Sequence, residues 1–136
     1  MKGKKMKKIL LLSCVILLSS VMAQAACNGI PIKSGKYCMS KHVMNWYSAY
    51  AWCHAQGMQM VDVKSDCVSL SSCPALKLTQ EEQNVVTSNG GTISNDVGQG
   101  WTSTSSSEMR SYTVYLPSGQ LAGWHPRTNS NYALCK

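Results

Sequence analysis

Clustered charge is missing from this 136-residue chain once its first 25 residues are set aside. Five of the thirteen basic side chains lie among residues 1–8, so eight basic and six acidic groups remain in the rest. Those eight lysines and arginines are scattered and form no basic stripe that would follow a phosphate backbone. The high isoelectric point therefore comes mainly from the N-terminus, and we expect no nucleic-acid partner.

A run long enough to span a membrane is also missing. Residues 9–18 are apolar, about half of the roughly 20 residues that a transmembrane helix needs. This run follows a lysine-rich segment and precedes the small-x-small triplet at 23–25, which is the layout of a secretory signal peptide. We therefore predict a signal peptide at residues 1–25 and no membrane span after its cleavage. A retained anchor is a weaker alternative, and so is a lipid-modified Cys27, because Gln24 stands where a lipobox has an aliphatic residue.

The mature chain, residues 26–136, lacks repeats and interdomain linkers, and its length suits one domain. It also lacks a Gly-x-Ser-x-Gly turn, and its serines concentrate where loops are expected. Triad partners are present in principle, but no pattern joins them into a nucleophile–base–orienter set: His42, His54, His125, Asp62, Asp66 and Asp96. We expect a protein that is not an enzyme and that carries no cofactor.

Cysteine is what the mature chain does have, at positions 27, 38, 53, 67, 73 and 135. An even number in an exported chain indicates three disulfides, whose connectivity the count alone does not fix. Zinc held by Cys67, Cys73 and a histidine is the alternative, but an oxidising compartment favours disulfides. We expect no metal site and a secreted or periplasmic location, with association at the cell surface as a further option.

Local signals predict two helices. Asn45 can cap a helix that begins at Trp46 and ends near Gly57. Thr79 and Glu82 form a capping box for a second helix, at about 80–88. On the first helix the stripe of Trp46, Ala49, Tyr50 and Cys53 is apolar, so core packing is the simplest interpretation of Trp46, Tyr50 and Trp52.

The remaining segments predict short strands, which makes the chain α+β with a small antiparallel sheet. Gly and Pro between Cys27 and Cys38 suggest a hairpin closed at its base. The other predicted strands are 58–63, 112–116 returning through a turn as 120–124, and 132–135.

This layout resembles a C-type lectin-like domain. The matching pieces cover essentially the whole mature chain: CNGIPIKSGKYC, WYSAYAWCHAQGM, VDV, TQEEQNVV, GWTST and YALC. The resemblance implies that fold for residues 26–136, with GWTST as a further strand. It also implies disulfides Cys27–Cys38 and Cys53–Cys135, which leaves Cys67 to pair with Cys73.

The chain departs from that family where the family binds calcium. The triplets Glu-Pro-Asn, Gln-Pro-Asp and Trp-Asn-Asp are absent, and so is the second disulfide that clamps the long ligand loop. Calcium needs six to eight oxygen ligands, and Glu108 is the one acid between Trp101 and Cys135. We therefore expect a compact, calcium-independent variant.

Residues 123–131 are the predicted ligand-binding loop because they combine turn residues with an aromatic ring and a guanidinium. The candidate ligand-binding residues are Trp124, His125, Arg127, Asn129 and Asn131. The alternative is that Trp124 closes the core and Arg127 is merely solvated.

The expected function is that of a binding module for adhesion or carbohydrate, with a glycan or a cell-surface protein as its partner. A structural or partner-binding subunit of a surface assembly is the second hypothesis. A small secreted enzyme or inhibitor is the third.

Overall fold

The computed structural model describes residues 26–94 and 97–136, so the predicted signal peptide at 1–25 and Asp96 lie outside the described residues. Ten elements follow one another in the described chain: β1 (Ile30–Ile32), β2 (Tyr37–Met44), α1 (Trp46–Ala55), α2 (Val63–Asp66), a 3₁₀ turn (Pro74–Leu76), α3 (Gln80–Ser88), β3 (Gln99–Ser107), β4 (Arg110–Tyr115), β5 (Leu121–Pro126) and β6 (Asn131–Cys135). The strands form one sheet in the order β1-β2-β6-β3-β4-β5. The α+β prediction is confirmed.

The sheet is mixed, which corrects the expectation of a small antiparallel sheet. Strand β3 runs parallel to β6, with Gly100 opposite Tyr132 and Trp101 opposite Ala133. The other named pairs are antiparallel. The last strand returns to the middle of the sheet rather than to its edge, so it meets β2 and β3 together, and those two strands run in opposite directions.

Strand β6 is buried along its whole length, and its side chains alternate between two packed faces. Tyr132 and Leu134 belong to a cluster that also contains Val86 of α3. Ala133 and Cys135 belong to a second cluster, with Ala49 and Cys53 of α1. The sheet is therefore covered by α1 on one face and by α3 with its preceding loop on the other.

Both predicted helices form with the predicted caps. The Asn45 side chain accepts a hydrogen bond from the Ser48 backbone N–H at 2.9 Å, and Gly57 has a φ of 73°, which suits glycine just beyond a helix end. At α3 the Thr79 hydroxyl accepts from the Glu82 N–H, and the Glu82 carboxylate accepts from the Thr79 N–H.

The predicted strand at 58–63 does not form, since this segment makes one isolated bridge and no named strand. Met60 bridges Cys135, and Val61 donates to the Leu134 carbonyl at 3.0 Å and accepts from the Ser103 N–H at 2.8 Å. This segment therefore fills the gap where β3 and β6 diverge. At Val63 the chain turns into α2 instead, because the Asp62 side chain caps that helix by accepting from the Lys64 N–H.

The two predicted hairpins are confirmed, and so are the predicted strands at 132–135 and at GWTST. β1 pairs with β2, β4 pairs with β5 through Val114 and Leu121, and the GWTST segment lies in β3. In the described part of the chain no helix combines the length and the apolar character needed to cross a membrane.

The structure forms the two disulfides that the family resemblance implies and joins the two remaining cysteines in a third. The Cα atoms of Cys27 and Cys38 and those of Cys53 and Cys135 are 5.5 Å apart, and those of Cys67 and Cys73 are 4.3 Å apart. The sulfur of Cys27 is held in a disulfide, whereas lipid modification would need the same sulfur free.

Candidate ligand-binding cleft

The five residues predicted to bind ligand do not form one site. Trp124 is 57% exposed, and its ring stacks on His125 at a centroid distance of 3.8 Å. His125 itself is 4% exposed, and neither of its ring nitrogens has a hydrogen-bond partner among the described residues. The alternative in which Trp124 closes the core is wrong, because a bulge in β5, where three residues lie opposite two of β4, leaves Trp124 exposed and His125 buried.

Arg127 is neither free in solvent nor aimed at an open cavity. Its guanidinium lies 4.1 Å from the centroid of the Trp46 ring, Nε donates to the Ser111 hydroxyl at 2.9 Å, and Nη2 donates to the Ser105 hydroxyl. Its carbonyl accepts from the Trp46 N–H at 3.0 Å. The alternative in which Arg127 is merely solvated is therefore wrong, since the side chain ties the β5–β6 loop to the start of α1.

The two predicted asparagines differ in burial. Asn129 is exposed in the loop, while Asn131 is buried at the start of β6, opposite Met44 of β2. Of the five predicted residues, Asn131 alone lines either of the two cavities described below.

An exposed row of rings runs along α1, and we call it the aromatic row: Trp46, Tyr50 and His54. The Trp46 and Tyr50 rings stack with centroids 5.3 Å apart, and those of Tyr50 and His54 are 4.3 Å apart. Tyr50 is 43% exposed, so the prediction that it packs in the core is wrong. The small residues Ala49 and Cys53 form the buried face of α1 instead.

The two tryptophans of α1 lie between core and surface. Trp46 and Trp52 are partly buried and pack against the cluster that contains Cys53 and Cys135. The Trp46 indole N–H donates to the Thr102 carbonyl at 2.9 Å, which fixes the first ring of the aromatic row. Their predicted packing role is thus confirmed, although neither ring is fully enclosed.

A cleft of about 330 Å³ lies beside this row, between α1 and the segment that carries α2. Tyr50 and His54 form its aromatic wall. Its polar lining comes from Asp62, Ser65, Ser103 and Lys136. The cleft floor is held in place by main-chain bonds between Gln59 and Lys136 in both directions, at 3.0 and 2.8 Å.

Hydrogen bonds and an ion pair hold the charged side chains of the cleft in place. Lys136 Nζ lies 2.8 Å from Asp66 Oδ2 and donates to the Ser65 hydroxyl at 3.1 Å. The Thr104 hydroxyl donates to Asp62 Oδ1 at 2.7 Å and is the main reason that the pKa of Asp62 lies below its usual value. Asp62 is therefore ionised at neutral pH, and its Oδ2, which receives only a long bond of 3.4 Å from Ser65, can accept from a ligand.

The chemistry of the cleft suits binding. A ring face, hydroxyls, one carboxylate and one ammonium offer a packing surface together with donors and acceptors. Within residues 26–94 and 97–136, no group of three or more His, Cys, Asp or Glu side chains is placed to share a metal ion.

The residues of this cleft were missed in the sequence because they come from distant segments. Tyr50 and Lys136 are brought together only when β6 is tied to α1 through Cys53 and Cys135. One signal was available: Trp46, Tyr50 and His54 follow one another at four-residue spacing, and the last of them is polar. A stripe that ends in histidine fits a helix face open to solvent at least as well as a core face.

Comparisons of this chain with protein-family models, curated proteins and solved structures return no match.

Proposed function

We propose that the mature chain is a secreted or periplasmic carbohydrate-binding module with a compact C-type lectin-like fold, acting without calcium. The observation that carries this proposal is the cleft of about 330 Å³ that Tyr50 and His54 line together with the carboxylate of Asp62.

A sugar ring suits such a cleft because it has two kinds of surface. Its C–H faces pack on aromatic rings, and its hydroxyl edges need both acceptors and donors. His54 ends the stack and offers an exposed ring, and Tyr50 offers a ring edge. Asp62 and the Ser103 hydroxyl offer acceptors, since that hydroxyl donates to the Val61 carbonyl, and Lys136 offers a donor. Hydrogen bonds and an ion pair already hold Asp62 and Lys136 in place, which limits the ordering that a ligand must impose.

The lectin-like assignment is supported by how the chain is closed. The resemblance implies that α1 is tied to the last strand, and Cys53 and Cys135 join these two elements. It also implies an N-terminal hairpin closed by a disulfide, and Cys27 and Cys38 close β1 and β2 in that way. Three disulfides are also what an oxidising compartment supports, which favours secretion or the periplasm.

The function is tested with the mature, oxidised protein on a glycan array, read once in calcium buffer and once in chelator. We expect binding to a defined set of glycans that is equal in both buffers. An array without hits contradicts carbohydrate binding, while hits that vanish in chelator contradict the calcium-independent mode.

The second candidate is a partner-binding subunit of a surface assembly, and a different surface favours it. Trp124 and Met109 are 57% and 64% exposed, and such large apolar side chains often anchor protein partners. Co-purification of a surface protein that is lost in Trp124→Ala but kept in Tyr50→Ala would favour this function over carbohydrate binding.

A further inference from the structure

A second cavity, of about 430 Å³, opens at the end of the sheet where β6 begins, and it shares no described lining residue with the cleft beside the aromatic row. Its volume lies within the range of small-molecule sites. The side chains that could bind a ligand there are Lys41, His42, Gln99 and Asn131.

An irregularity in β2 places Lys41 and His42 at the rim of the second cavity. Between Met39 and Val43, β2 advances four residues while its partner β6 advances two, from Leu134 to Tyr132. The Ser40 hydroxyl occupies the resulting gap by donating to the His42 carbonyl at 2.7 Å and accepting from the Ala133 N–H at 2.9 Å. Lys41 and His42 are thereby left exposed beside the cavity.

Asn131 lines this cavity with an unused donor. The residue is 7% exposed, and its Nδ2 has no hydrogen-bond partner among residues 26–94 and 97–136. Folded proteins rarely leave a buried amide donor without an acceptor. Because the Nδ2 atom is itself buried, an acceptor atom of a ligand would satisfy it once the Asn131 side chain turns toward the cavity.

Gln99 and Lys41 supply further donors to the cavity. The Gln99 side-chain oxygen accepts from the Thr113 hydroxyl at 2.8 Å, which leaves the Gln99 amide nitrogen to donate. The Tyr132 hydroxyl is occupied, since it accepts from the Thr92 N–H at 2.9 Å. Lys41 adds a positive charge, and no aspartate or glutamate is among the described lining residues.

We propose that this second cavity binds a small carboxylate, with the amides of Asn131 and Gln99 donating to its oxygens and Lys41 supplying the opposite charge. Carboxylates are acceptors only, which matches the donors of Asn131, Gln99 and Lys41. This site is independent of the carbohydrate-binding function proposed for the cleft.

The test is titration of the ¹⁵N-labelled mature protein with sodium acetate, sodium glucuronate and neutral glucose at constant ionic strength, following the side-chain amide signals of Asn131 and Gln99. We expect saturable shifts with at least one of the two carboxylates and none with glucose. Shifts with both probes show that the carboxylate suffices, and shifts with glucuronate alone show a carboxylate carried on a sugar. No shifts at all, or equal shifts with glucose and glucuronate, would overturn the proposal.

Matched variants locate the site. Asn131→Asp replaces the free donor by a like charge and should abolish carboxylate binding, whereas Asn129→Asp makes the same change on the exposed loop and should not. Lys41→Gln should weaken binding about fivefold, and Lys36→Gln in the β1–β2 turn is its control. The spectrum of Asn131→Asp will show whether this variant folds. If it does not, the carboxylate affinities of Lys41→Gln and Lys36→Gln are compared instead, and equal affinities contradict the assignment.

Discussion

Cys38 and Cys135 lie directly opposite each other on β2 and β6, yet each is bonded to a different cysteine. Two disulfides thus meet at one point of the sheet, one closing the N-terminal hairpin and the other holding α1 to the last strand. The second encloses a much longer stretch of chain, because its cysteines are 82 residues apart.

Loss of that long link should be the most damaging change to the cysteines. In the chain-entropy model a loop of this length contributes about 4–5 kcal/mol, against about 2 kcal/mol for the short Cys67–Cys73 loop. We expect Cys53→Ala with Cys135→Ala to lower the free energy of unfolding by clearly more than Cys67→Ala with Cys73→Ala, measured by urea unfolding. Equal losses from the two double variants would show that the long link is not what closes the fold.

Arg127 should matter for stability although its loop is on the surface. Arg127→Lys keeps the charge but loses the guanidinium contact over the Trp46 ring and the paired donation to Ser105 and Ser111. We expect a loss of about 1–2 kcal/mol in the free energy of unfolding. The exposed Arg110 is the control, and Arg110→Lys should change the free energy of unfolding little; an equal effect at both positions would refute the bracing role.

His125 should make the fold sensitive to acid. Burial lowers the pKa of His125 below the ordinary value of 6.5, so below that pH the unfolded chain takes up a proton that the folded chain resists. Stability contributed by the neutral ring is therefore complete above about pH 6.5 and falls as the pH drops through the folded-state pKa, by at most about 1.4 kcal/mol per pH unit. Unfolding curves between pH 7.5 and 5 should show this loss in the wild type and in His42→Phe but a smaller one in His125→Phe; identical profiles for all three proteins would contradict it.

Removal of calcium should leave stability unchanged. The sequence lacks the family's acidic triplets, and no described cluster of acids is placed to hold an ion. Thermal unfolding in chelator and in millimolar calcium should therefore give the same midpoint. A rise of several degrees with calcium would reveal a bound ion, since a ligand that binds only the folded state stabilises it.

What was predictable from the sequence was mostly local. The caps at Asn45 and Thr79 are short-range hydrogen bonds between neighbours in the chain, so their residue types suffice to identify them. The strand prediction failed at Val63 for the opposite reason. There the outcome depends on Asp62, which is held by Thr104 from a strand about forty residues away.

The burial pattern of α1 also shows that the sequence predicts local features better than packing. An apolar stripe of Trp46, Ala49, Tyr50 and Cys53 states which residues share a face, but not how closely the helix approaches the sheet. The close approach is made by Ala49 and Cys53, and this leaves Tyr50 at the edge of the cleft. The sequence could therefore suggest an open helix face but not the cleft beside it, because the cleft depends on a separation between elements that only the packed structure sets.

The measurement that tests the central claim most directly is the affinity of the best array glycan for wild type, Tyr50→Ala and Tyr47→Ala, determined by calorimetry. Both tyrosines are exposed on α1, but only Tyr50 lines the cleft beside Asp62. We predict that Tyr50→Ala weakens binding about tenfold or more, while Tyr47→Ala stays within about twofold of wild type. Equal affinities for wild type and Tyr50→Ala would contradict glycan binding at this cleft.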